Sequence, residues 1–127
     1  MIKRFIDSDL FTKRWFRQLT AEEKCLWFCI TQTCTYDGFW EYDEEAVAFL
    51  CNGYKGEIPE IIVSKLGMVQ VDDYQYFLPG WVKFQYGVLK PQVRPHQRII
   101  KRLVTKGLDE KFPELIEKKD NNPYETQ

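Results

Sequence analysis

Apolar residues recur along this chain in two rhythms, helical and alternating, and the switches between them mark out its elements. Ser8-Asp9-Leu10-Phe11 followed by Lys13-Arg14-Trp15-Phe16-Arg17 predicts a short entry helix anchored by Leu10, Phe11 and Trp15. Thr20-Ala21-Glu22-Glu23 has the form of a capping box, in which the Thr20 hydroxyl and the Glu23 carboxylate each satisfy the other's backbone N–H. The helix it opens runs through Cys25-Leu26-Trp27-Phe28-Cys29-Ile30, apolar nearly all round, and is predicted to lie at the centre of the fold. Tyr36-Asp37-Gly38 supplies turn chemistry, and Phe39-Trp40-Glu41-Tyr42 reads as a short strand. Asp43 caps a second helix through Ala46, Val47 and Leu50, which stops near Asn52-Gly53. Pro59 suits the first turn of a third helix, with Ile58, Ile61, Ile62 and Leu66 as its apolar stripe and Gly67 as its stop. Residues 68–71 and 75–78 alternate and are joined across Asp72-Asp73-Tyr74, the signature of a β-hairpin.

Beyond the hairpin the sequence reads Pro79-Gly80-Trp81-Val82-Lys83-Phe84-Gln85-Tyr86-Gly87. Pro95 can start a last helix with Ile99, Ile100, Leu103 and Val104 on one side. Arg94, Arg98, Lys101 and Arg102 recur at i, i+4, i+7 and i+8 and give that helix a second, basic side. Gly107 is its predicted stop. The order helix, strand, helix, helix, hairpin predicts a mainly α fold with a small β-hairpin: a winged helix-turn-helix with an extra C-terminal helix. The domain is expected to span residues 1–106, including the basic helix near 95–106, with 107–127 a charged tail or linker. Leu26, Trp27, Ile30, Val47, Leu50, Ile61, Ile62, Leu66 and Trp81 are the predicted core.

Composition narrows the class. A 127-residue chain with 16% aromatic residues has the size and apolar mass of one folded domain, not of a disordered segment. No apolar run is long enough to cross a bilayer, and Asp7 and Asp9 interrupt what would be the apolar stretch of a signal peptide, so a cytoplasmic location is expected. The net charge of −1 conceals a strong asymmetry. Residues 83–106 carry Lys83, Lys90, Arg94, Arg98, Lys101, Arg102 and Lys106 with no acid among them, whereas residues 18–82 carry eleven acids against Lys24, Lys55 and Lys65. Cys25, Cys29, Cys34 and Cys51 lack the short CxxC spacing of a zinc site, and His96 is far from them. They are expected to act as small apolar residues that bind no metal and form no disulfide.

Three segments resemble a known family. Leu19-Thr20-Ala21-Glu22 at a helix start, Asp37-Gly38 before a short strand, and Trp81-Val82-Lys83-Phe84-Gln85 after the wing occur in the order found in the N-terminal winged-helix domain of phage replication initiators, the DnaD-like replisome organisers. The similarity spans about residues 2–105. It implies a role in starting DNA replication through DNA binding, self-association or recruitment of other replication proteins. A second, C-terminal domain often follows in that family; here it is expected to have been removed or to be lacking in a minimal relative.

The chemistry points to binding and not to catalysis. Phosphate contact calls for Lys and Arg heads on one exposed face, which Arg94, Arg98, Lys101 and Arg102 supply, with Lys90 just ahead of them. In a winged helix the usual reader is the third helix. Here that helix carries only Lys55 and Lys65 nearby, against Glu57 and Glu60, and the wing tip is Asp72-Asp73. DNA therefore meets the basic C-terminal helix, or the usual face serves protein association. Trp81, beside Lys83, Phe84 and Tyr86, is an alternative stacking platform for single-stranded bases if it is not packed over the hairpin. No glycine-rich phosphate loop, nucleophile elbow or HExxH stretch is present, so no enzyme activity or cofactor is expected. The expected function is that of a non-catalytic DNA-binding module of a phage-type replication initiation protein, on single- or double-stranded DNA and with a homo-oligomer as one possible state. The alternative is a protein-interaction or oligomerisation adaptor without DNA affinity.

Overall fold

The computed structural model describes residues 3–118. Within them the chain divides into two compact units after Trp81.

In the first unit, a 3-10 turn over Leu10–Thr12 leads into α1 (Arg14–Arg17) and then α2 (Ala21–Thr33). The capping box that opens α2 is complete: Thr20 Oγ1 accepts from the N–H of Glu23 at 3.1 Å, and Glu23 Oε1 accepts from the N–H of Thr20 at 2.8 Å. Strand β1 (Phe39–Glu41) follows the turn at Gly38, whose φ of 84° suits glycine. Thr35 closes that turn by accepting from the N–H of Phe39 at 3.0 Å. Helix α3 (Glu44–Leu50) is capped by Asp43, which accepts from the N–H of Ala46 at 3.1 Å. Helix α4 (Glu60–Leu66) ends at Gly67 in the left-handed region, as its sequence predicts. Strands β2 (Val69–Gln70) and β3 (Gln75–Phe77) form the hairpin.

The sheet is antiparallel with order β1-β3-β2. Its register sets Phe39 opposite Phe77, and both rings are fully buried with centroids 5.1 Å apart. The protein is thus mainly helical with a small three-stranded sheet.

Three predicted core residues are not buried. Leu50 is 50% exposed and Ile61 37%, while Trp27 is half-buried. Of α2 only Leu26, Ile30 and Thr31 are buried, so this apolar helix does not lie at the centre of the fold. Trp27 packs edge-on against Trp15 at 5.1 Å and Phe16 at 6.3 Å, both from one-turn α1, a cover too short to bury the whole indole. Within that entry segment Leu10 is buried as expected and Phe16 is a second buried anchor, whereas Phe11 is 63% exposed and Trp15 half-buried. Leu26, Ile30, Val47, Ile62, Leu66 and Trp81 are buried as expected.

The segment after the hairpin, predicted as no regular element, is helix α5 (Pro79–Tyr86). Beyond Trp81, the second unit contains α6 (Arg94–Thr105), α7 (Leu108–Lys111) and a 3-10 turn over Pro113–Leu115. Residues 107–118 are therefore not a tail. Leu108 and Leu115 are buried, and a parallel bridge joins Leu89 to Ile116, with the Leu89 N–H donating to Leu115 at 2.7 Å and the Glu117 N–H donating to Leu89 at 2.8 Å. The remainder of the expected tail, 119–127, lies outside the described residues. Among the described residues no helix is long and apolar enough to cross a membrane.

Candidate nucleic-acid interface

Helix α6 starts after Val93 with Pro95 in its first turn, where a missing N–H costs nothing. Its two faces are sharply divided. Ile99 and Leu103, one turn apart, are buried, with His96 and Ile100 half-buried beside them. At 100° per residue, Arg94 and Lys101 fall opposite them and Arg98 and Arg102 on the adjoining flank, and all four are exposed. They span roughly 12 Å of helix axis. Duplex DNA presents a phosphate charge every ~1.7 Å, so four cations at this spacing have more than enough phosphates to meet.

Lys90 joins this group through a residue that the sequence gives no role. Its backbone N–H donates to His96 Nδ1 at 3.0 Å, and the His96 ring meets Tyr86 edge-on at 5.8 Å. Gln97 Nε2 donates to the Pro91 carbonyl at 2.9 Å. Together these bonds hold the 90–93 approach against the first turns of α6 and place exposed Lys90 next to the start of the basic face. The signal for His96 is purely tertiary, since its partner is a backbone N–H six residues earlier.

Lys55 and Lys65 belong to the first unit and lie on different elements. Lys55 is exposed in the loop ahead of α4. Lys65 is exposed in the last turn of α4, with its ammonium 5.4 Å from the centroid of the Trp15 ring, a cation–π contact. In the same unit Glu57, Glu60, Asp72 and Asp73 are all exposed. Asp72 also has a turn to hold, since its Oδ1 accepts from the N–H groups of Tyr74 and Gln75 at 3.1 and 2.8 Å. The seven cations therefore separate into a set of five on or beside α6 and two lysines on other elements, in the unit that also carries Glu57, Glu60, Asp72 and Asp73.

Trp81 is buried, with the Arg4 guanidinium 5.2 Å from its ring centroid, which removes it as a stacking platform. The four cysteines carry free thiols, and among the described residues no group of three or more His, Cys, Asp or Glu is arranged to hold a metal ion. No family model, curated protein or solved structure matches this chain.

Proposed function

We propose that this chain is a non-catalytic DNA-binding module of the phage replication-initiator type, built on a winged-helix scaffold and active in the cytoplasm. The observation that carries the reading is the exposed arc of α6, where Arg94, Arg98, Lys101 and Arg102 lie away from buried Ile99 and Leu103 in a stretch without acids. Such a face binds phosphates by charge and counterion release, and so binds broadly across sequences. The scaffold reading is supported by the order α2-β1-α3-α4-β2-β3 and by the sheet order β1-β3-β2, which suit a helix-turn-helix with a hairpin wing. Anisotropy titrations of the full chain with labelled single-stranded and duplex DNA at two salt concentrations test the reading. Affinity that falls steeply with salt is the expected result.

A second reading, a protein-interaction adaptor on the same scaffold, is favoured by one observation: the α4 surface that would enter a groove carries Glu60 and neighbours Glu57. Salt-independent absence of DNA binding would select it.

A further inference from the structure

A partly open cavity of about 430 Å³ lies in the first unit among the loop before α4, α4 itself and the sheet. Ile58, Val63 and Met68 supply aliphatic and thioether surface, and Tyr42 and Tyr76 supply two rings. The Tyr42 hydroxyl stands 3.5 Å from the Gly56 carbonyl, and the Tyr54 hydroxyl donates to the Glu57 carbonyl, so the loop forming one wall is tied down at both residues. The volume lies in the range of pockets that engulf a compact ligand, roughly 300–1,000 Å³. Met68 lends the wall the adaptability of a thioether chain.

The rim is acidic. Glu57 lines the cavity, and Glu60 stands exposed on α4 one turn before Val63. The Glu44 carboxylate is close enough to bear electrostatically on the Tyr42 hydroxyl. Between residues 41 and 64 the only base is Lys55. An open apolar cleft with Glu57 in its wall and Glu60 beside it repels phosphate and attracts cations.

We propose that this cavity docks a basic peptide segment of a partner protein, seating one large apolar side chain between Tyr42, Tyr76 and Met68 while Lys or Arg residues of the peptide meet Glu57 and Glu60. The apolar anchor supplies affinity and the charges supply selection and approach, the usual division of labour at such surfaces. The assignment is independent of whether α6 binds DNA, because it uses different residues and the opposite charge.

The test uses the full chain and a fluorescent 12-residue Lys/Arg/Gly peptide with one central Phe, followed by anisotropy. Companion peptides carry Ala in place of Phe, or Glu in place of every base. The Phe peptide binds, the Ala peptide binds about tenfold or more weakly, as expected for one lost aromatic anchor, and the acidic peptide does not bind. Val63→Arg, which fills the cavity and reverses its charge, abolishes binding. Glu57→Lys/Glu60→Lys, confined to exposed residues, weakens it at least tenfold with unchanged circular dichroism and so decides the matter should Val63→Arg fail to fold. Equal affinity for the Phe and Ala peptides, or binding indifferent to the Glu57/Glu60 change, overturns the proposal. So does an absence of binding up to the peptide's solubility limit. Sedimentation showing that the cavity is covered by a second copy, with Glu57→Lys/Glu60→Lys releasing monomers, also overturns it in favour of self-association.

Discussion

A Cβ placed on Gly80 would lie 2.7 Å from the carbonyl oxygen of Lys65, with the carbonyl group of Leu66 at 3.0 Å. Backbone therefore meets backbone where the start of α5 crosses the end of α4, and only glycine fits. Gly80→Ala is expected to destabilise the protein by about 1–3 kcal/mol, the usual cost of forcing extra volume into a packed site. Urea unfolding checks this, and an unchanged midpoint would show that the two segments can part freely.

Arg4 ties the N-terminal segment to the end of α2. Its guanidinium donates to the carbonyls of Thr31, at 3.0 Å, and Cys34, where the helix has run out of N–H partners, and to Cys34 Sγ at 3.3 Å. Arg4→Ala removes these bonds and the contact with Trp81, and is expected to cost about 1.5–3 kcal/mol, the scale of hydrogen bonds from a charged donor. Arg4→Lys should recover only part of this loss, because an ammonium cannot span the same acceptors in one plane. Equal stability of all three proteins in chemical denaturation would refute the role.

Phe16 and Leu50 separate burial from mere apolarity. Phe16 is fully buried at the meeting of four other aromatic rings, so Phe16→Ala should cost about 3–5 kcal/mol. Leu50→Ala, at a half-exposed position, should cost under about 1 kcal/mol. Thermal melts of the two variants side by side decide the point, and a larger loss for Leu50→Ala would contradict the packing described.

The thiols give a pH dependence with a definite sign. Burial pushes Cys34 from 9.0 up to about 11, outweighing the nearby Arg4 guanidinium. Burial, reinforced by the Cys25 and Cys29 thiols, pushes Cys51 up to about 12. The unfolded chain accommodates the thiolates better, so the stabilising contribution is fully present below about pH 9 and is lost as pH rises through 11 and 12. Stability should therefore fall as pH is raised above about 9, and Cys34→Ala should flatten that fall. Identical slopes in melts of wild type and variant between about pH 8 and 10 would count against it.

Local chemistry made much of this fold legible in the sequence. The Thr20–Glu23 box, the Asp43 cap and the Gly67 stop are each decided within four residues, and each forms as read. Helix α5 escaped because Pro79-Gly80 looks like punctuation, whereas Pro79 occupies a first-turn position and Gly80 answers to the distant backbone of Lys65. Trp27, Leu50 and Ile61 show the limit of periodicity: it identifies an apolar face without saying whether another element covers it. The basic face of α6 was readable from spacing alone. The cavity was not, because residues 42, 58, 63, 68 and 76 converge only through the sheet register and the loop before α4.

The division of the cations into an α6 set and two lysines on other elements is the centre of the functional reading, and salt-dependent DNA affinity tests it most directly. Anisotropy titrations with duplex DNA over a series of salt concentrations should be run on wild type, Arg98→Ala/Arg102→Ala and Lys55→Ala/Lys65→Ala. The first double variant should weaken binding to every sequence and flatten the log–log salt slope by about 1–2, since each phosphate contact contributes about 0.9. Loss of Lys55 and Lys65 should do less. Abolished binding in Lys55→Ala/Lys65→Ala with wild-type affinity and slope in Arg98→Ala/Arg102→Ala would contradict the reading and return the DNA to α4.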